Sequence, residues 1–274
     1  MPELPEVETI RRDLAPMVLD QRIEAVTGPA APALRVLVGH KISSLERRGK
    51  YLVGSLDHLD LVLHLGMSGR LFSTRAIPQV RHLQLVIHFE SGAFLVFVDR
   101  RRFGRAVAVP KGDYRSVPTL MNMGPEPLST DFTKKNFVDA VLRSRASVKA
   151  LLLGQRVVAG LGNIYTDEVL HRAHIHPAAR DVSAEQAIRL HQAIRLILAS
   201  AIRHRGTSFS LHLDGLLPAG NFGPQLKVFR REGLPCTNCG KPIVRLRLGG
   251  RATFVCTRCQ RLPAAVVRAA HSVT

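Results

Sequence analysis

The chain has 274 residues, 46% of them hydrophobic, enough for a buried core and for division into two or three modules. Its 39 Lys and Arg stand against 21 Asp and Glu, a formal charge of +18 with an isoelectric point near 11.0, and such a field attracts polyanions. A low-complexity tail is excluded and no apolar run reaches membrane-span length; nucleic acid is the first candidate partner, with a ribosome-associated or merely solubilising basic surface as the alternative.

The chain opens on Pro2 and acids where a secretory signal would carry basic and then apolar residues, so a cytoplasmic location is expected. Val7, Ile10, Leu14 and Met17 fall on one stripe of a first helix. Apolar β-rich runs then recur over 45–56, 59–65, 83–89 and 94–98, with turn signals at Gly69, Ser91 and Gly92, which predicts an antiparallel β sandwich. Gly124, Pro125 and Pro127 punctuate a linker. Helical spacing follows: Ser183 and Gln186 form a capping box, Ala187, Leu190, Ile194, Ile197 and Ala201 an apolar face, and Gly206 a C-terminal cap. The stretch 209–222 reads as a long loop of the kind that carries function. The fold class is therefore α+β and multidomain: a β-sandwich domain over 1–122, a linker over 123–134, a helical domain over 135–222, a cysteine-bearing hairpin module over 223–262 and a tail over 263–274.

All four cysteines lie in the last module as two Cys-x2-Cys pairs, Cys236/Cys239 and Cys256/Cys259. A hairpin between the pairs brings four thiolates around one zinc ion. Disulfides are the alternative, and the absence of a secretory segment weighs against them. Four sulfur ligands leave no open position for water, so the zinc is structural. Between the pairs lie Arg245, Arg247 and Arg251, either a phosphate-binding face or a solvated basic hairpin.

The N-terminus also admits two readings. Once Met1 is removed, Pro2 becomes a secondary amine beside a carboxylate, and an α-amino group with a pKa of about 7.7–8.0 has an appreciable neutral, nucleophilic fraction near neutrality. The other reading is helix capping, since acids favour the first turn and Pro5 suits an early helical position.

Several stretches together decide how these pieces are read. They are the opening Pro-Glu-Leu-Pro-Glu-Val-Glu-Thr, Arg47-Arg48-Gly49-Lys50-Tyr51-Leu52, His64-Leu65-Gly66-Met67-Ser68-Gly69-Arg70, Arg101-Arg102-Phe103-Gly104, Gly124-Pro125-Glu126-Pro127-Leu128, Ala159-Gly160-Leu161-Gly162-Asn163-Ile164-Tyr165 and the cysteine pairs. In this order the chain resembles, over nearly its whole length, the bacterial formamidopyrimidine-DNA glycosylases. The resemblance implies a base-excision-repair enzyme that removes oxidised purines, 8-oxoguanine and formamidopyrimidines, and then nicks the strand by β,δ-elimination through an N-terminal proline Schiff base. It implies that Pro2 is the nucleophile, Glu3 the acid and Lys50 an active-site cation near the lesion's phosphate. A secondary amine that displaces a base yields an iminium directly, and that cation acidifies the adjacent sugar carbon, so one residue can serve both steps.

A base inside a duplex must be flipped out and its gap filled. The resemblance gives that task to Met67, Arg101 and Phe103, with Phe103 wedging the stack and Arg101 reading the opposite cytosine; by composition alone, Met67 and Phe103 are equally core residues. It places a helix-two-turn-helix module in the helical domain, with Lys149, Asn163 and Arg251 gripping phosphates. The expected partner is double-stranded DNA with a damaged base or abasic site, bound by a monomer, and the expected cofactor one structural zinc.

The match departs from the family pattern at Arg100, usually proline; at Arg81-His82-Leu83-Gln84, usually Lys-His-Asp-His; and at Leu217-Pro218-Ala219-Gly220-Asn221-Phe222, usually Gly-Lys-Pro-Gly-Tyr-Phe. The resemblance makes the last part of the loop that covers the flipped base, so nicking at abasic sites is expected to be retained while 8-oxoguanine excision is reduced. Two other readings are an endonuclease VIII-like enzyme for oxidised pyrimidines, against which Leu4 and the Met67, Arg101 and Phe103 set speak, and a catalytically silent zinc-containing DNA-binding protein, against which Pro2 and Glu3 speak.

Overall fold

Helix α1 (Leu4–Val18) starts where Glu3 is extended, at φ −106°, and Pro5 is tolerated in its first turn because the N–H it lacks would have no intrahelical partner. Glu6 reaches back to accept the Glu3 N–H at 2.9 Å, the reciprocal arm of a capping box. The buried face is Val7, Ile10, Leu14 and Val18. Met17, expected on this stripe, is exposed, because the i+4 step from Leu14 lands on Val18.

The computed structural model describes residues 2–77, 79–207 and 220–262. The chain divides into two units, one of Met1–Asn122 with Ile202–Gly223 and one of Met123–Ala201 with Pro224–Thr274. The divergent loop is described only at Thr207 and from Gly220 onward; its centre, the tail from 263 and Met1 lie outside the described residues.

In the first unit, two four-stranded antiparallel sheets form the sandwich. One has the order β1 (Ile23–Thr27), β6 (Leu83–Phe89), β7 (Phe94–Asp99), β5 (Gly69–Thr74); the other has β2 (Ser44–Arg48), β3 (Tyr51–Ser55), β4 (Leu59–His64), β8 (Arg105–Pro110). Strand alternation sorts the side chains. Leu85, Ile87, Leu95 and Phe97 join the main core with Leu52, Leu61, Leu63 and the apolar face of α1, while Val86, Val96 and Val98 turn to a smaller cluster with Phe72. Each such side chain contributes about 1.5–3 kcal/mol by leaving water. The apolar run 45–56 is two strands, broken where Gly49 takes φ +57°; the resulting turn carries Lys50.

In the second unit, α3 (Lys134–Arg143), α4 (Val148–Leu153), α5 (Asn163–Arg172) and α6 (Ala184–Arg203) follow the short α2 (Pro118–Met121) of the first. Thr133 and Ser147 cap α3 and α4 with their hydroxyls, and the Ser183–Gln186 box is present in both directions at 2.9 and 3.2 Å. The buried face of α6 is Ala187, Leu190, Ile194, Leu198 and Ala201, with Ile197 half-buried beside it. Gly206 does not cap α6. The helix ends at Arg203, Arg205 makes the left-handed reversal at φ +59°, and Gly206 serves close approach instead, since a Cβ there would lie 2.6 Å from the Glu6 carboxylate. Strands β9 (Val244–Leu248) and β10 (Arg251–Val255) form a hairpin closed by Gly249 and Gly250, both at positive φ, as a two-residue turn requires. Among the described residues, no helix is long and apolar enough to cross a membrane.

Candidate functional site

Pro2 and Glu3 are both buried at the head of α1. Their position is fixed by Glu6, whose Oε2 accepts the Glu3 N–H and whose Oε1 accepts the N–H and hydroxyl of Thr207 at 2.7 and 3.1 Å. One carboxylate therefore holds the start of the chain and the base of the divergent loop. The capping reading and the nucleophile reading are not exclusive: Glu3 and Glu6 cap the helix reciprocally, each side chain accepting the other's N–H, and Glu3 is the residue next to Pro2.

Lys50 is mostly buried at the β2–β3 turn. Near it lies His64, the end of β4, a motif residue to which the sequence alone attaches no separate role. Burial, and then the charges of Lys50 and Arg105, push its pKa down to about 4. It is neutral at neutral pH, and because Nδ1 accepts the Gly66 N–H at 3.2 Å, its proton sits on Nε2. The Tyr51 ring packs 4.6 Å from it. Glu8 gathers Arg11, Arg12 and Arg47 at 2.8–3.2 Å; burial acts to raise its pKa, but the guanidinium hydrogen bonds and charges win and hold it at about 2.

The three residues expected to fill the gap lie on two adjoining loops. Met67 is 43% and Phe103 54% exposed, so neither is a core residue. The Arg101 guanidinium lies 4.7 Å from the Phe103 ring centre, within cation–π range. Gly66 and the backbone of Phe103 and Gly104 pack so closely that a Cβ at Gly66 would approach them to 2.6 Å, which the glycine's φ of +59° permits.

In the second unit, Lys149, Asn163 and Arg251 converge on β10. Arg251 is exposed, as are Arg245 and Arg247 of β9. Asn163 donates from Nδ2 to the Ala252 carbonyl at 2.7 Å. Lys149, expected among the phosphate contacts, is not a surface side chain. Its side chain is 2% exposed and Nζ donates to Asp167 at 2.6 Å, Thr253 Oγ1 at 2.8 Å and the Ala252 carbonyl at 3.4 Å, which occupies the three protons an ammonium has. Asp167 also accepts the Phe254 N–H at 3.0 Å; burial pushes its pKa up, opposed by Lys149. The next residue, Glu168, is buried and accepts three consecutive N–H groups, of Lys227, Val228 and Phe229, each at 2.9 Å. Neither acid stands out in the sequence, because an Asp-Glu pair in a helix reads as a solvated face.

The four cysteine sulfurs lie within 4.8 Å of one another. Cys236–Cys259 at 3.9 Å and Cys239–Cys256 at 3.4 Å are far from the ~2.05 Å of a disulfide and near the ~3.8 Å edge of a tetrahedron with Zn–S bonds of ~2.3 Å. The residues fit a zinc ion. Around them, Gln260 accepts the Cys256 N–H and donates to the Ile175 carbonyl, and His171 Nε2 lies 3.4 Å from Cys236 Sγ, the kind of surroundings that orient thiolate ligands.

Three family models cover this chain in order: the formamidopyrimidine-DNA glycosylase N-terminal domain over residues 1–106, the formamidopyrimidine-DNA glycosylase H2TH domain over 123–212, and the zinc finger found in FPG and IleRS over 233–262. A formamidopyrimidine-DNA glycosylase of Desulforamulus reducens is 43% identical over 95% of this chain and 99% of its own length; that of Thermus thermophilus is 44% identical over 95% and 98%. The chain belongs to the formamidopyrimidine-DNA glycosylase family. Among solved structures, the MutM (FPG) protein of Thermus thermophilus superposes with a TM-score of 0.87 at 41% identity, covering 94% of this chain and 98% of that one. Lactococcus lactis Fpg in complex with abasic-site DNA superposes at 0.87 with 34% identity, covering 95% and 100%. The finger match and the four clustered sulfurs fit one structural zinc ion.

Proposed function

We propose that, once Met1 is removed, the Pro2 nitrogen attacks C1′ of an oxidised purine nucleotide in duplex DNA, releasing the base and then nicking the strand. The observation that carries this reading is the buried Pro2–Glu3 pair at the head of α1, held by Glu6, in a unit matched to the formamidopyrimidine-DNA glycosylase N-terminal domain. The amine lone pair forms the N–C1′ bond as the glycosidic bond breaks, and the base leaves with those electrons and takes up a proton. Glu3 supplies a proton to the ring oxygen as the sugar opens to an iminium. The iminium acidifies C2′; loss of that proton expels the 3′-phosphate, a second elimination expels the 5′-phosphate, and water releases the sugar fragment and regenerates Pro2.

Lys50, with neutral His64 beside it, faces the phosphate of the extruded nucleotide, while Met67, Arg101 and Phe103 occupy the gap it leaves. Arg251 takes a phosphate, and so does the second amide proton of Asn163; Lys149 supports them by fastening β10. The zinc keeps the arginine hairpin folded and takes no part in the bond changes. The protein works as a monomer in the bacterial cytoplasm, at the nucleoid. Relatives named formamidopyrimidine-DNA glycosylase, and a Lactococcus lactis relative crystallised with Fapy-dG DNA, favour oxidised purines over oxidised pyrimidines or a silent binder.

Borohydride reduction of the processed protein on an abasic-site duplex is expected to trap a covalent adduct that maps to Pro2. No adduct, or an adduct on another residue, overturns the reading.

A further inference from the structure

Asp99, the last residue of β7, is completely buried, yet it stands directly between the two loops that carry Met67, Arg101 and Phe103. Its Oδ1 accepts the Ser68 hydroxyl at 2.6 Å and the Arg101 N–H at 3.2 Å; its Oδ2 accepts the Gly104 N–H at 2.7 Å. Ser68 Oγ in turn accepts the Arg101 N–H at 3.1 Å. One carboxylate thus ties the residue after Met67 to both ends of the segment 101–104. A buried carboxylate is expensive unless such donors surround it, and these donors come from loop backbone whose conformation they therefore fix. The first loop is also held by the Gly66 N–H on His64 Nδ1 and the Gly69 N–H on the Leu65 carbonyl. Arg102 sits at φ +57°, and a Cβ at Gly66, Gly69 or Gly104 would come within 2.3–2.6 Å of a neighbour, backbone at the first two and the Phe97 ring at the third.

We infer that Asp99 is the positioning residue that preorganises the Met67, Arg101 and Phe103 set for insertion into the duplex. It touches no substrate; it acts by keeping two loops in one arrangement, so that ordering them does not oppose insertion when the nucleotide leaves the stack. Asparagine is nearly isosteric but replaces one acceptor oxygen by an NH2 group, which would confront an N–H or hydroxyl donor. The inference rests on the gap-filling role proposed above for those three residues.

The test compares Asp99→Asn and Ser68→Ala with the unaltered protein on two substrates: a duplex with 8-oxoguanine opposite cytosine, where the base must be extruded, and a single-stranded abasic oligonucleotide, where nothing needs extruding. Single-turnover excision on the duplex is expected to fall about tenfold or more in Asp99→Asn and less in Ser68→Ala, with nicking of the single strand within about twofold for both. Omitting the base opposite the lesion should recover much of the loss. Parallel losses on both substrates, or no loss on the duplex, overturn the inference. If Asp99→Asn does not fold, Ser68→Ala decides, and an unchanged ratio of the two rates in that variant overturns it equally. Failure of the unaltered protein to nick the single strand or form the Pro2 adduct would instead count against the proposed function.

Discussion

Asp99 and Glu6 of the first unit and Asp167 of the second are buried carboxylates satisfied differently, while Glu168 of the second unit takes backbone N–H groups and Glu8 of the first takes guanidinium groups. In the first, Asp99 and Glu6 accept backbone N–H groups and hydroxyls, of Ser68, Arg101 and Gly104 and of Glu3 and Thr207. In the second, Asp167 faces an ammonium, Lys149, and the pair fastens helix α5 and helix α4 to strand β10. Backbone donors fix the shape of a loop segment by segment, whereas an ion pair fixes one point of a regular element. The loops that carry Met67 and Phe103 use the first device, and a hairpin whose shape is already set by its ladder and its metal uses the second.

Breaking the ion pair should produce the largest change. Lys149→Met leaves Asp167 buried without its partner, and the second unit should lose about 3–5 kcal/mol in denaturant unfolding of the full chain. Unchanged stability with a lower salt dependence of DNA binding would restore Lys149 as a phosphate ligand and dissolve the contrast. Arg251→Ala, one residue before the Lys149 anchor, should do the reverse: stability within about 0.5 kcal/mol, weaker binding to any duplex, and a slope of log affinity against log salt reduced by about 1. A duplex titration series in salt checks it, and an unaltered slope would remove Arg251 from the phosphate contacts.

The smallest effect sharpens the picture of the first unit, where Glu8 is an acid with guanidinium partners. Its folded pKa of about 2 lies below its ordinary 4.5, so its stabilisation is full above pH 4.5 and is lost as pH falls toward 2. Glu8→Gln should therefore cost about 1 kcal/mol at pH 7, allowing for solvent screening of the partly exposed arginines, and the difference from the unaltered protein should shrink across that window. A difference that persists to pH 2 in thermal melts would assign the loss to packing.

Legibility in the sequence follows how local each interaction is. The Ser183–Gln186 cap, the strand alternation and the two Cys-x2-Cys pairs depend on residues a few positions apart, and the structure has them where the spacing puts them. Gly206 departs from its expected capping role because its reason is Glu6, two hundred residues earlier in the chain. The burial of Lys149 is not legible locally because its partners, Asp167 and Thr253, are brought to it by the packing of a helix and a hairpin that no local pattern announces. Met67 and Phe103 could be core residues by composition, and only their place in the matching motifs distinguishes them from such.

The sequence by itself determined α1, α6, the main apolar strands, the zinc ligands and the family, since each rests on short-range periodicity, ligand spacing or an ordered series of motifs. The tertiary structure alone decided which charges are spent on holding the fold and which face outward: Asp99, Asp167, Glu168 and Lys149 are buried, while Arg245, Arg247 and Arg251 are not. The reason is physical. A charge is tolerated inside a protein only when distant donors or counter-charges converge on it, and that convergence is a property of the folded chain.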